Sequence, residues 1–233
     1  MPARTKLTGV AAPGAAGHAC PPWIARILAS PLRRLLVNPD REVARYVRPG
    51  MRALDVGCGL GFYTIPLARL VGPTGRVHAV DVWPEVVAEL ERRARRAGYA
   101  ARVEVRLCRG DDLDLADLGG RVDFALAMHV VHEAPDPEAF LAQVHAAVTP
   151  GGRLLMVEPR GHVGPSRFAR THELAEGVGF RRLAEPRIRL SRAVLLDKPA
   201  DDATTAATSG RAGARGDPAG GRDASAPTEA PRD

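Results

Sequence analysis

Leu54-Asp55-Val56-Gly57-Cys58-Gly59-Leu60-Gly61-Phe62 is the stretch whose reading decides the fold. An apolar segment, Met51 to Val56, runs directly into three alternating glycines, and a helical pattern follows at once. That is the order of a buried strand, a tight turn without side chains and a helix N-terminus. Bare backbone in such a turn lets a ligand lie against it, with N–H groups aimed at the ligand. The run therefore points to a nucleotide-like cofactor, and its details narrow which one. A dinucleotide fingerprint, Gly-x-Gly-x-x-Gly, needs its third glycine at position 62, where Phe62 stands. Asp55, two residues before the first glycine, would repel a pyrophosphate but suits a cofactor carrying an amine and a sulfonium. Taken alone, the run leaves a dinucleotide site and a purely structural turn as competing readings.

Outward from this turn, strand and helix patterns alternate. Pro49-Gly50 punctuates before the first strand. Gly75 to Asp81 reads as the second strand. Pro84 opens a helix running to Ala97, with an apolar stripe of Val87, Leu90, Ala94 and Ala97. Arg102 to Leu107 and the nearly all-apolar Val122 to Ala127 are the third and fourth strands. Asp136-Pro137 caps the next helix, with Phe140, Val144 and Val148 facing inward. Thr149-Pro150-Gly151-Gly152 turns into a fifth strand, Arg153 to Val157. A helix from about Ser166 to Glu176 precedes a closing antiparallel pair, Phe180 to Ala184 and Ala193 to Leu196. Continuous apolar strands separated by helices mean an α/β fold, a doubly wound parallel sheet covered on both faces.

Four segments are expected. Residues 1–20 are poor in large apolar side chains and form a disordered leader. Residues 21–48 form a helical cap, with helical patterns at Trp23 to Leu36 and Asp40 to Val47. Residues 49–198 hold the sheet, and residues 199–233, rich in Ala, Gly, Thr, Asp, Arg and Pro, form a disordered tail. The formal charge is +6 over 233 residues. Residues 201–233 carry four arginines against six acids, so the remainder holds +8. Solvated arginines on helix faces account for that balance. The three cysteines, Cys20, Cys58 and Cys108, match no zinc or redox spacing and fit a reducing compartment. No apolar run has the length of a membrane span, and the leader lacks the apolar stretch of a signal peptide. The expected setting is the cytoplasm.

Asp81 ends the second strand, 24 positions after Gly57, where an acid in a doubly wound sheet accepts hydrogen bonds from ribose hydroxyls. Val82 follows it and is placed to pack on an adenine face. The crevice at the carboxyl ends of strands one and four is the topological switch point, where ligands bind. Asp123, Met128, His129, His132 and Glu133 are expected to flank the exit of the fourth strand.

The ordered motifs Asp55-Val56-Gly57-Cys58-Gly59-Leu60-Gly61, Ala79-Val80-Asp81-Val82, Gly110-Asp111-Asp112, Val122 to Ala127 and Pro150-Gly151-Gly152-Arg153-Leu154 carry a resemblance over about residues 40–197. The chain resembles the class I S-adenosylmethionine-dependent methyltransferases, in the small-molecule branch with quinone-type and metalloid-methylating enzymes. The resemblance implies a Rossmann-like seven-stranded sheet of order 3-2-1-4-5-7-6, with strand seven antiparallel. It implies S-adenosylmethionine as cofactor, S-adenosylhomocysteine as product and a small-molecule methyl acceptor. It places the cofactor on the turn Gly57, Cys58, Gly59 and Gly61, with Asp55, Asp81 and Val82. Asp111, or Asp112 as the fallback, meets the adenine amine, and backbone near Met128 and His129 meets the methionine part.

Methyl transfer from a sulfonium needs alignment and exclusion of water before it needs any acid or base. Where an acceptor must lose a proton, the candidate bases are His129, His132, Glu133 and His162, with Glu158 leaving the fifth strand beside His162. On a helix, His129 and His132 would share a face. Cys20 and Cys108 raise the alternative of metalloid or thiol methylation. An NAD-dependent oxidoreductase and a non-catalytic cofactor-binding module are the alternatives outside methyl transfer. Ala127-Met128-His129-Val130 lacks both the Asn/Asp-Pro-Pro-Tyr and the Pro-Cys signatures of nucleic-acid methylation, and basic charge without interleaved aromatics is a poor single-strand surface.

Overall fold

A computed structural model describes residues 37–200 of the chain. The expected leader, the Trp23 to Leu36 helix, Cys20 and the tail from Asp201 onward lie outside the described residues. The sheet is built from β1 (Arg52–Val56), β2 (Arg76–Asp81), β3 (Val103–Leu107), β4 (Val122–Met128), β5 (Val148–Pro159), β6 (Arg181–Ala184) and β7 (Ser191–Asp197). The helices are α1 (Pro39–Val43), α2 (Thr64–Leu70), α3 (Pro84–Arg96), α4 (Pro137–Ala147) and α5 (Pro165–Gly177). The strand order is β3-β2-β1-β4-β5-β7-β6, as the family resemblance implies. The first five strands pair in parallel, and β7 runs antiparallel to both β5 and β6.

Side chains alternate across the strands and so build two cores. Leu54, Val56, Val80, Ala125 and Met156 bury one face under α4 and α5, through Phe140, Leu141, Val144 and Ala175. Ala53, Val77, Phe124, Leu126 and Leu155 bury the other face under α1 and α2, through Val43, Leu67 and Val71. The described part of the cap belongs to this second core. Tyr46 stacks on Phe124 at 5.8 Å between ring centres, near the starting end of β4.

Proline at the first position of α1, α3, α4 and α5 starts each helix where its missing N–H costs nothing. Asp136 accepts hydrogen bonds from the N–H groups of Glu138 and Ala139, each at 3.0 Å, and so caps α4. Asp136→Ala is expected to lower stability by about 1 kcal/mol in urea unfolding, without affecting ligand binding. A change below a few tenths would show that water replaces the cap.

Three local expectations shift. The buried stripe of α3 is Val86, Leu90 and Ala94, with Val87 half-buried, while Ala97 is exposed because the helix ends at Arg96 and Ala97 is only its C-cap. α4 ends at Ala147, and Val148 already pairs with Val122. The Gly151-Gly152 turn joins the ladder, because Gly151 N–H donates to Lys198 and Lys198 N–H donates to Gly152.

Candidate active site

The glycine turn leaves β1 at its carboxyl end and is held from three sides. Gly57 and Cys58 N–H both donate to the Val80 carbonyl of β2. Arg93 of α3 donates to the Leu60 carbonyl at 3.1 Å. A Cβ on Gly57 would meet Val130 at 2.5 Å, so the chain leaving β4 packs directly on this turn. Gly59 differs: it has φ +51°, and a Cβ there would meet nothing within 4 Å. Its bare face opens outward rather than against protein.

Two carboxylates sit under the turn. Asp55, 2% exposed, accepts a 2.6 Å hydrogen bond from the Thr64 hydroxyl in the first turn of α2. Burial outweighs that bond and, helped by the Asp81 charge, pushes Asp55 up to about 7. Asp81, at the end of β2, accepts from Gly59 N–H at 2.9 Å and Trp83 N–H at 3.2 Å. Burial raises its pKa too, and the backbone donors oppose that shift. Val82 is half-buried against the first core.

Cys58 and Cys108 are free and buried. Burial, with the Asp81 charge, raises the Cys58 thiol well above its ordinary value and pushes Cys108 up to about 12. Both are thus protonated thiols near neutral pH, poor ligands for a soft ion. Among the described residues no group of three or more His, Cys, Asp or Glu is placed to hold a metal.

The loop after β3 is shaped by a residue outside the sequence motifs. Gln143 of α4 accepts from Leu113 N–H at 2.8 Å and donates to the Asp111 carbonyl at 3.0 Å. Asp112 is committed to Asp114 N–H at 2.9 Å and to Arg109 at 3.2 Å. The Asp111 carboxylate is exposed and sits 3.9 Å from Arg109.

The histidines part company. Val131 to Glu133 is one 3-10 turn rather than a helix, and His129, before it, has φ +59°. His129 Nε2 lies 2.9 Å from the Ser191 hydroxyl, while His132 turns to Glu158 at the end of β5. The shared helical face is therefore replaced by two separate anchor points. Glu158, 1% exposed, accepts from His132 N–H at 3.1 Å and holds His132 Nδ1 at 2.5 Å. Glu133 Oε1 lies 3.9 Å from His132 Nε2, and the His162 ring packs edge-on at 6.1 Å between centres. Arg167 of α5 donates to the His132 carbonyl at 2.8 Å. Met128 buries its side chain in the second core, so it offers the crevice backbone only.

A family model described as a methyltransferase domain matches residues 48–181. The chain belongs to that family. The solved S-adenosylmethionine-dependent methyltransferase of Aquifex aeolicus is 25% identical with a TM-score of 0.68, covering 76% of this chain and 98% of that one. The ubiquinone biosynthesis O-methyltransferase of Azorhizobium caulinodans is 35% identical over 127 residues, 54% of this chain and 47% of that protein. The demethylmenaquinone methyltransferase of Staphylococcus aureus is 32% identical over 112 residues, 48% of this chain and 44% of its own. The chain spans about half the length of these curated relatives. The matched domain is thus that of the class I methyltransferases, a family whose cofactor is S-adenosylmethionine.

The residues present fit that cofactor. The opening at Gly59 leaves a cradle where a Cβ would intrude, and two buried carboxylates beneath it suit a ligand with a cationic amine and sulfonium. Thr64, Arg93 and Gln143, which position the methyltransferase turn and loop, were not singled out in the sequence. Their partners lie 9, 33 and 30 residues away, beyond any local pattern.

Proposed function

We propose that this chain transfers a methyl group from S-adenosylmethionine to a small-molecule acceptor. The observation that carries the reading is Gly59, left-handed and open, in a turn whose backbone donates to Asp81 and which follows the strand that buries Asp55. When bound, the cofactor supplies a methyl carbon already activated on a sulfonium. The protein's part is to grip, align and exclude water. Asp81 would take the ribose hydroxyls, with Val82 against the adenine. Asp111 is the better partner for the adenine amine, since Asp112 is tied into its own loop. Asp55 would face the cationic end from beneath the turn formed by Gly57, Cys58, Gly59 and Gly61. Backbone at Met128 and His129 would border the methionine part. The relatives acting in quinone biosynthesis support a small molecule rather than nucleic acid as acceptor. No described helix is long and apolar enough to cross a membrane, and the two free buried thiols support a cytoplasmic setting.

Calorimetric titration with S-adenosylhomocysteine, with NAD as control, tests the reading. Binding of the former alone is the expected outcome, and binding of NAD alone would overturn it. Asp81→Ala is expected to weaken S-adenosylhomocysteine binding by about 10- to 100-fold, the worth of one hydrogen bond to a charged group. Circular dichroism should report an unchanged fold. An unaltered Kd would remove Asp81 from the ribose.

A further inference from the structure

We infer that His132 Nε2 is the general base of transfer, for acceptors whose nucleophilic atom still carries a proton, and that Glu158 is its positioning residue. The inference rests on the methyl-donor reading above and specifies what the acceptor side of that site does.

Three observations carry it. Glu158 grips His132 twice, at the backbone N–H and at Nδ1, and is itself buried. A carboxylate that accepts from Nδ1–H fixes the neutral imidazole in the tautomer whose Nε2 carries a lone pair. The ring therefore presents a base in one orientation, the relation between a catalytic base and its orienting group. Second, the turn bearing His132 is fastened to the cofactor turn. Val130, two residues earlier, fills the space beside Gly57, and its carbonyl accepts from Glu133 N–H at 2.9 Å. The base thus stands at the switch point between β1 and β4, where methyl donor and acceptor must meet. Third, the neighbouring histidines are held differently: His129 Nε2 lies 2.9 Å from the Ser191 hydroxyl, and the His162 ring packs edge-on against the His132 ring.

The step balances without any further reagent. The acceptor's O–H proton passes to Nε2, the oxygen forms a bond to the methyl carbon, and the carbon–sulfur pair returns to sulfur. The imidazolium so formed lies against the Glu158 carboxylate and releases its proton to water on product loss.

The groups facing this imidazole are Glu158 of β5, Glu133 on its own turn, Arg167 of α5 through the His132 carbonyl, and His162. Burial lowers the imidazole pKa, but the Glu158 hydrogen bond and charge, with Glu133, outweigh burial and leave it raised. A base works only when neutral, so activity should fall as pH drops through that raised value. Without Glu158 the acid limb should move to lower pH, and the plateau should drop as well.

The test has two parts. In nitrogen-15 imidazole spectra of the protein without ligand, His132 is expected as the Nδ1–H tautomer. Its titration should move to lower pH in Glu158→Gln. An Nε2–H tautomer, or a titration that Glu158→Gln leaves in place, overturns the inference. Methyl transfer is then measured to catechol, which must lose a proton, and to 4-nitrothiophenol, which arrives ionised. His132→Ala and His132→Gln are expected to lower kcat for catechol by about 100-fold or more with KM within roughly twofold. Transfer to the thiolate should hold within roughly twofold in both variants. Glu158→Gln is expected to lower the catechol plateau by about 10-fold and shift its acid limb down. Equal losses for the two probes, no loss for either, or no catechol methylation by protein that binds S-adenosylhomocysteine would overturn it. Failure to bind S-adenosylhomocysteine would instead sink the methyl-donor reading, while the tautomer and titration still report on the pair.

Discussion

Gly61→Ala should destabilise the protein by about 2–5 kcal/mol, a large part of the roughly 5–15 kcal/mol that holds a domain together. Two penalties add. Gly61 has φ +84°, which costs an L-residue about 1–2 kcal/mol. A Cβ there would also collide with the Cδ1 of Leu90, a fully buried residue of α3, and overpacking a core typically costs about 1–3 kcal/mol. Urea unfolding measures the sum. A loss under about 1 kcal/mol would mean that Leu90 finds another rotamer and the turn relaxes. Gly59→Ala is the informative contrast. Its φ of +51° lies where L-residues are tolerated at a small cost, and a Cβ there touches nothing. It should lose only about 1 kcal/mol of stability yet bind S-adenosylhomocysteine more weakly, because the methyl group stands in the cradle. Equal stability losses in the two variants would show that Gly59, too, serves packing alone.

Asp55→Asn is expected to stabilise the protein at pH 8 while weakening cofactor binding. Burial pushes the Asp55 carboxyl from its ordinary value of 3.8 up to about 7, so the folded state holds its proton where the unfolded state has lost it. The folded state then binds more protons between about pH 4 and 7, and stability falls as pH rises through that window. Below pH 4 both states are protonated and the penalty vanishes. Asparagine cannot ionise, still accepts from Thr64, and should recover on the order of 4 kcal/mol at most at pH 8 and almost nothing at pH 4. Equilibrium unfolding at the two pH values measures this directly. No difference between them would place the Asp55 pKa near its ordinary value. The same variant loses the negative charge beneath the turn, and with it an attraction for the amine and sulfonium of the cofactor. Its affinity for S-adenosylmethionine should drop more than its affinity for S-adenosylhomocysteine, which lacks the sulfonium charge. A buried acid kept at a stability cost is characteristic of a functional position.

Local order alone determined much of this protein. Apolar runs of strand length, proline at helix starts and glycine at the β1 turn are signals between near neighbours, and they located six of the seven strands to within about three residues. The glycine turn and the carboxylates ending β1 and β2 were legible as positions for the same reason: a strand end followed by a bare turn is a pattern of near neighbours. The order of the strands came from resemblance, and the ladder agrees with it. The fifth strand was read short, because its first residues pair with β4 and with Lys198, and that pairing is invisible in a Thr-Pro-Gly-Gly sequence.

What tertiary structure decided is which polar groups meet. His129 and His132 are three residues apart, yet a left-handed residue and a 3-10 turn send them to Ser191 and Glu158, 62 and 26 positions away. Gln143 reaches back 32 residues to set the loop that presents Asp111. The pKa of Asp55 is likewise set by burial against α2, not by its neighbours in the chain. Periodicity determines which face of an element is apolar, and so the layers. Hydrogen bonds between chain-distant side chains depend on angles and distances that only the packed layers fix. The glycine turn was therefore readable in the chain, and the pairing of His132 with Glu158 was not.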